Sequence, residues 1–201
     1  MKKILVRGLG LFVLLLVAAG VWMATQPYAF HGSVIEPPTR AADFTLTAHD
    51  GKPLQLSKFS GKLVVLYFGY TACPDVCPTT LSDLKRTRAR LGQSADRVQF
   101  LFVTVDPERD TAERLQGYVP SFDPSFIGLT GTEAELAPTW KAYGVYRAKQ
   151  PSTSALGYLM DHSSQVYVID PRGNLRMTFA FGETPDNMAQ DIQHLLNETR
   201  N

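Results

Sequence analysis

The apolar positions of this chain fall into blocks of different period, and each period names the element the block should form. Leu63-Val64-Val65-Leu66-Tyr67-Phe68-Gly69 and Val98 to Val105 are apolar almost throughout, as strands buried on both faces are. Val166-Tyr167-Val168-Ile169 is a third such run, turning through Pro171-Arg172-Gly173-Asn174 into a strand at 175–180. Phe44 to Thr47 and Leu54 to Leu56 instead alternate about Asp50-Gly51, the signature of a hairpin. A short strand is expected at 126–129. Helical spacing takes over at 79–91, with Leu81, Leu84 and Leu91 on one side, and at about 133–143. Asp110-Thr111-Ala112-Glu113 has the form of a capping box for a helix over 111–118. Thr184-Pro185 opens a terminal helix with proline at its first position, where no hydrogen bond is lost.

Strands alternating with helices, with a hairpin at each end, imply an α/β fold: a mixed sheet flanked by helices. With 201 residues and 44% hydrophobic content the chain can bury one proper core, and residues 42–201 are expected to form that single domain. Residues 25–41 carry Pro27, Pro37 and Pro38 without helical period. They read as a tether reaching at most about 56 Å.

Gly8 to Ala24 contains no charge, and Leu11 to Val17 is its apolar heart. Seventeen helical residues span about 26 Å, the lower limit for crossing a bilayer's hydrocarbon core. A signal peptide cleaved near Ala18-Ala19-Gly20 is the competing reading. The length of the run, and Trp22 placed for the far interface, favour an uncleaved anchor over 1–24. Either way the basic N-terminus stays in the cytoplasm and the rest is exported. The expectation is a single-pass protein of the bacterial inner membrane with its folded domain in the periplasm. Formal net charge is +1, but Lys2, Lys3 and Arg7 are the only charges before residue 25; without them 17 cations face 19 anions, about −2. No basic stripe with interleaved aromatics runs along the chain, which argues against a nucleic-acid partner.

Cys73 and Cys77 are the only cysteines, and they sit where the first apolar strand gives way to a helix. A helix N-terminus favours negative charge and so raises the thiolate fraction. A structural staple is the bland alternative, but so small a loop gains only about 2 kcal/mol, against roughly 4–5 for a loop of a hundred residues. Two thiolates can hold a soft metal or close into a disulfide, never both together. Export sharpens that choice, since neighbouring thiols in an oxidising compartment become a disulfide unless a reductant or a metal keeps them open. A cysteine pair closing the first strand-to-helix junction of such a sheet is the thioredoxin arrangement.

Of four histidines, His31 lies in the tether, His49 in the hairpin turn and His194 on the terminal helix, each expected to be solvated. His162, in Tyr158-Leu159-Met160-Asp161-His162-Ser163-Ser164, precedes the strand that faces the active-site cysteines in thioredoxin-like folds. That position normally carries a cis-proline, absent here. By fold analogy the imidazole joins the thiols as a third ligand. Two sulfurs and one imidazole form a soft, three-coordinate set suited to copper; zinc wants a fourth ligand, and an iron–sulfur cluster more thiolates. If the segment is extended, Met160 shares a face with His162. Asp75 and Asp161 are candidates to tune thiol or imidazole basicity from the surrounding shell.

Taken together, Phe68-Gly69-Tyr70-Thr71, Cys73-Pro74-Asp75-Val76-Cys77-Pro78, Asp106-Pro107-Glu108-Arg109-Asp110-Thr111 and Asp161-His162-Ser163 resemble the Sco/SenC family of copper-binding, thioredoxin-like proteins. The resemblance runs from about Asp43 to Glu198; Ala72 stands where many members have a bulkier residue. It implies a copper ion, Cu(I) or Cu(II), held by Cys73, Cys77 and His162. It further implies delivery to the binuclear copper site of cytochrome c oxidase, whose copper-bearing subunit would be the partner. A copper-loading protein or a thiol reductant would act upstream. The same cysteines would serve as a redox disulfide, reducing the oxidase's own site cysteines. Rival readings are an exported thiol–disulfide oxidoreductase, a peroxiredoxin-like peroxidase, and a copper or redox sensor without transfer. Oxidoreductases favour two intervening residues and keep the cis-proline. Peroxidases place a threonine three residues before the reactive cysteine, whereas Thr71 lies two before Cys73. A carrier rather than a classical enzyme is therefore expected.

Overall fold

The longest buried strand, β4 (Leu63–Gly69), runs parallel to β5 (Val98–Thr104), and its seven residues are all buried. Its other neighbour, β9 (Val166–Ile169), runs antiparallel to it, with Val64 opposite Ile169 and Tyr67 opposite Val166. Burial on both faces is what their uninterrupted apolar sequences require. The computed structural model describes Trp22, residues 26–152 and residues 157–199. Apart from Trp22, the expected membrane anchor over 1–24 lies outside the described residues. Among the described residues no helix is long and apolar enough to cross a membrane.

Around the central strands lie β1 (Ser33–Arg40), β2 (Thr45–Ala48), β3 (Pro53–Gln55), β6 (Ile127–Thr130) and β10 (Asn174–Phe179). They complete an eight-stranded mixed sheet in the order β1-β10-β9-β4-β5-β6-β2-β3. The hairpin β2–β3 and the turn between β9 and β10 fall where the sequence pattern puts them. Among the described residues, helices α1 (Val76–Leu91), α2 (Ala112–Phe122), α3 (Glu133–Ala142) and α4 (Pro185–Glu198) flank the strands. Alternation along β4 sorts them by face. Tyr67 meets Phe102, which meets Tyr118 of α2. Phe68 points the other way, against Tyr143 at the end of α3 and Tyr167.

Three features depart from the sequence reading. Ser33–Arg40, inside the stretch read as a tether, is the edge strand β1; its register slips between Val34 and Thr39, around the proline pair. An edge strand tolerates residues that cannot donate to the ladder, so prolines alone do not mark a linker. His31, expected to be solvated, helps to fasten this strand. The buried Asp191 carboxylate of α4 accepts from the backbone N–H groups of His31 and Gly32 and pairs with His31 Nδ1, all at 2.9 Å. Lastly, β7 (Arg147–Pro151) and β8 (Tyr158–His162) form a separate antiparallel hairpin, with Arg147 opposite His162.

Candidate metal centre

Where β4 ends, Gly69 leaves room that any side chain would fill: a Cβ there would lie 2.9 Å from Phe102, 3.0 Å from Tyr67 and 3.1 Å from Cys77 Sγ. That space admits the Cys77 sulfur to the end of the sheet. Helix α1 starts at Val76, three residues earlier than its apolar spacing shows, so Cys77 lies in its first turn. First-turn amides have no partner within the helix, and the Cys77 N–H donates to Cys73 Sγ at 3.3 Å.

The two thiols are free of each other as a disulfide and differ in setting: Cys73 is partly exposed, Cys77 buried. The hydrogen bond from the Cys77 side chain is the main cause that lowers the Cys73 thiol to about 3, against opposing burial; His162 and the backbone N–H groups of Cys77 and Asp75 add to it. The same pairing, seen from Cys77, combines with burial to push that thiol far above the usual range. One proton between two sulfurs leaves Cys73 a thiolate and Cys77 a thiol.

His162, 85 residues further on, places Nε2 3.5 Å from Cys77 Sγ. Its Nδ1 is 2.7 Å from the Ser163 carbonyl oxygen. A carbonyl only accepts, so Nδ1 donates its proton there and Nε2 is the ring nitrogen that faces the sulfurs. Tyr70 meets the imidazole edge to face, with ring centroids 5.7 Å apart. Tyr70, Cys73 and His162 line an open cleft of about 420 Å³ with Pro74, Asp75, Val76, Tyr146 and Met160 among its walls.

The expected site residues thus converge, though not all as expected. The Asp161 carboxylate accepts from Gln150 at 2.8 Å rather than from its neighbouring imidazole. Asp75 serves Cys73 through its backbone N–H; its exposed carboxylate accepts from Thr79 at 3.5 Å. Met160 is buried in the cleft wall on the strand face of His162. Of the other histidines, His49 Nδ1 accepts from the Gly128 N–H at 3.0 Å and His194 pairs with Glu198 at 3.3 Å; neither is the free, solvated group expected. The donors are neighbours rather than a finished shell: among the described residues no three His, Cys, Asp or Glu side chains already stand at metal-holding geometry.

The Asp106–Thr111 segment, legible as a motif, acquires its task only here. The Asp110 carboxylate, buried and with its pKa raised chiefly by that burial, does not cap α2. The Thr111 hydroxyl does so, accepting from the Arg114 N–H. Asp110 instead accepts from Thr71 N–H at 3.1 Å, Thr71 Oγ1 at 2.6 Å and Thr104 Oγ1 at 2.7 Å, tying the cysteine loop to the end of β5. Arg109 lies over the rings of Tyr158 and Tyr70, at 3.7 and 5.6 Å. It pairs with Asp106 and donates to the Tyr158 carbonyl at 2.9 Å. The Tyr158 hydroxyl donates to Asp106 at 2.8 Å. This cluster clasps β8, four residues from His162, to the body of the domain. The charged and aromatic residue types of the motif were the available signal, but only the fold shows what they hold.

The SCO1/SenC family model matches residues 33–197. This chain belongs to the SCO1/SenC family. A mouse relative, the mitochondrial SCO2 homolog, is 35% identical over 153 residues, covering 75% of this chain and 60% of its own length. This SCO1/SenC chain thus spans about three fifths of that relative. Among solved structures, Bradyrhizobium japonicum ScoI with copper bound is 38% identical with a TM-score of 0.72, covering 79% of this chain and 100% of its own. Apo Sco1 of Thermus thermophilus is also 38% identical, with a TM-score of 0.75, covering 84% of this chain and 98% of its own. The fold is the thioredoxin-like α/β fold of these SCO1/SenC structures.

Proposed function

We propose that this protein is a copper metallochaperone, anchored to the bacterial inner membrane with its domain in the periplasm. On this reading it binds copper through Cys73, Cys77 and His162 and delivers it to the binuclear copper site of cytochrome c oxidase. The observation that carries the reading is His162 Nε2 held 3.5 Å from the Cys77 sulfur, beside Cys73. Two sulfurs and an imidazole suit a soft ion by their chemistry. The copper-bound relative supports the choice of metal. Binding would draw the partly exposed Cys73 sulfur round to share the ion and would displace the proton between the thiols.

The reduced full chain should take up one copper ion per molecule. His162→Ala should weaken binding by more than the roughly 10–100-fold that loss of an outer-shell partner costs. A strain lacking the gene should lose oxidase activity under copper limitation and regain it with added copper. Substoichiometric uptake, or a His162→Ala protein with unaltered affinity and spectrum, would overturn the ligand set.

A second reading is favoured by one observation, the division of the pair into a thiolate and a thiol. Such a pair suits disulfide exchange: the Cys73 thiolate attacks a partner disulfide, and Cys77 then displaces the partner sulfur. The pair gives up two electrons and its one proton to the partner's two sulfurs, which leave as one thiolate and one thiol. If the reduced protein opened the oxidase's copper-site disulfide while His162→Ala still supported assembly, reduction would be the essential step.

A further inference from the structure

Tyr67 has no exposed surface, and its hydroxyl is among the buried polar atoms without a hydrogen-bond partner. The end of the ring that carries the hydroxyl lies against Gly69. One point there lies 3.0 Å from Tyr67 Cε1, beside the hydroxyl-bearing carbon, and 3.1 Å from Cys77 Sγ, with Phe102 closing the side at 2.9 Å. The hydroxyl-bearing end of the phenol and the Cys77 sulfur therefore both pack against the bare Cα of Gly69. The nearby Thr80 hydroxyl is committed to the Val76 carbonyl at 2.8 Å.

A buried hydroxyl without a partner costs folding free energy, and phenylalanine would fill the same volume without that cost. We infer that the Tyr67 hydroxyl is a hydrogen-bond donor held for the Cys77 sulfur in its copper-bound form. A neutral thiol is a weak acceptor and offers the phenol little. A thiolate bound to a metal is a strong one, and a donor on a ligating sulfur strengthens and orients it. Tyr67 is thus a positioning residue, acting on the ion through Cys77 alone. The inference rests on copper binding at Cys73, Cys77 and His162.

The test is Tyr67→Phe in the full chain, compared with the wild type. The metal-free variant should unfold at the same denaturant concentration or a higher one. Its Cu(I) affinity, measured by competition with a chromogenic chelator, should fall about tenfold, equivalent to about 1.4 kcal/mol. The thiolate-to-Cu(II) absorption band should move to lower energy, because the sulfur lone pair loses the hydrogen bond that stabilised it. Wild-type affinity with an unmoved band would overturn the inference and leave the proposed function standing. So would a loss of affinity accompanied by a loss of metal-free stability, since that shows a packing role. A wild-type protein that bound no copper would remove the metal reading and this inference together.

Discussion

Proximity makes Cys73 and Cys77 unequal, because charge on one sulfur is stabilised by the hydrogen the other keeps. Burial decides which keeps it: Cys77, under the end of β4, cannot carry charge cheaply, and Cys73 at the cleft rim can. The consequence is a pH profile. An ordinary thiol near 8.5 loses reactivity tenfold per unit as pH falls below that value. With a pKa lowered to about 3, Cys73 stays a thiolate from neutral pH down through pH 4. Its alkylation by iodoacetamide, followed by mass spectrometry on the reduced metal-free protein, should therefore be nearly flat from pH 8 to pH 4 and decline only near 3. Absolute rates should be modest, since nucleophilicity falls with pKa. Cys77 should stay unmodified throughout. A Cys73 rate that tracks the ordinary thiol curve would refute this division.

Among the elements, the hairpin β7–β8 stands apart from the main sheet yet delivers the imidazole. Part of its hold on the domain comes from Arg109, Asp106 and Tyr158, beside Arg147 and Lys149 of β7, so these residues would act on a bound ion only through where they put His162. Tyr158→Phe removes one hydroxyl, which donates to Asp106, a loss of about 1 kcal/mol. Copper affinity should drop by roughly fivefold in the otherwise wild-type chain. In a His162→Ala background the same substitution should leave affinity unchanged, because the residue it positions is gone. An equal drop in both backgrounds would show a general loosening of the fold.

For the whole molecule, the proposed copper ligation and a disulfide would compete for the same sulfurs, so stability should depend on redox state. Copper at a hundred times its dissociation constant adds about 2.7 kcal/mol to a protein that binds it only when folded. For a chain of this length that is an upward shift of roughly 5–10 °C in the thermal midpoint. Calorimetry on the reduced chain should show the shift. The oxidised chain, with both sulfurs spent on each other, should show none. Equal stabilisation of the two forms would mean that the cysteines are not the ligands.

The buried strands, the cysteine turn and the terminal helix were legible in the sequence because their causes are local: side-chain period, turn residues, a proline at a helix start. The candidate donors Cys73, Cys77 and His162 could be named from the sequence too, since that choice depends on residue type. The rest was decided by tertiary structure. His162 meets Cys77 across 85 residues because β9, which follows it, pairs antiparallel with β4, which precedes the cysteines. Asp110 has the sequence of a helix cap, yet it binds Thr71 and Thr104, which only the sheet brings to it. Ser33–Arg40 has the composition of a linker but becomes a strand once β10 offers an edge and Asp191 holds His31. Local pattern names an element and its chemistry; which partner a side chain finds depends on register and burial, which belong to the folded chain as a whole.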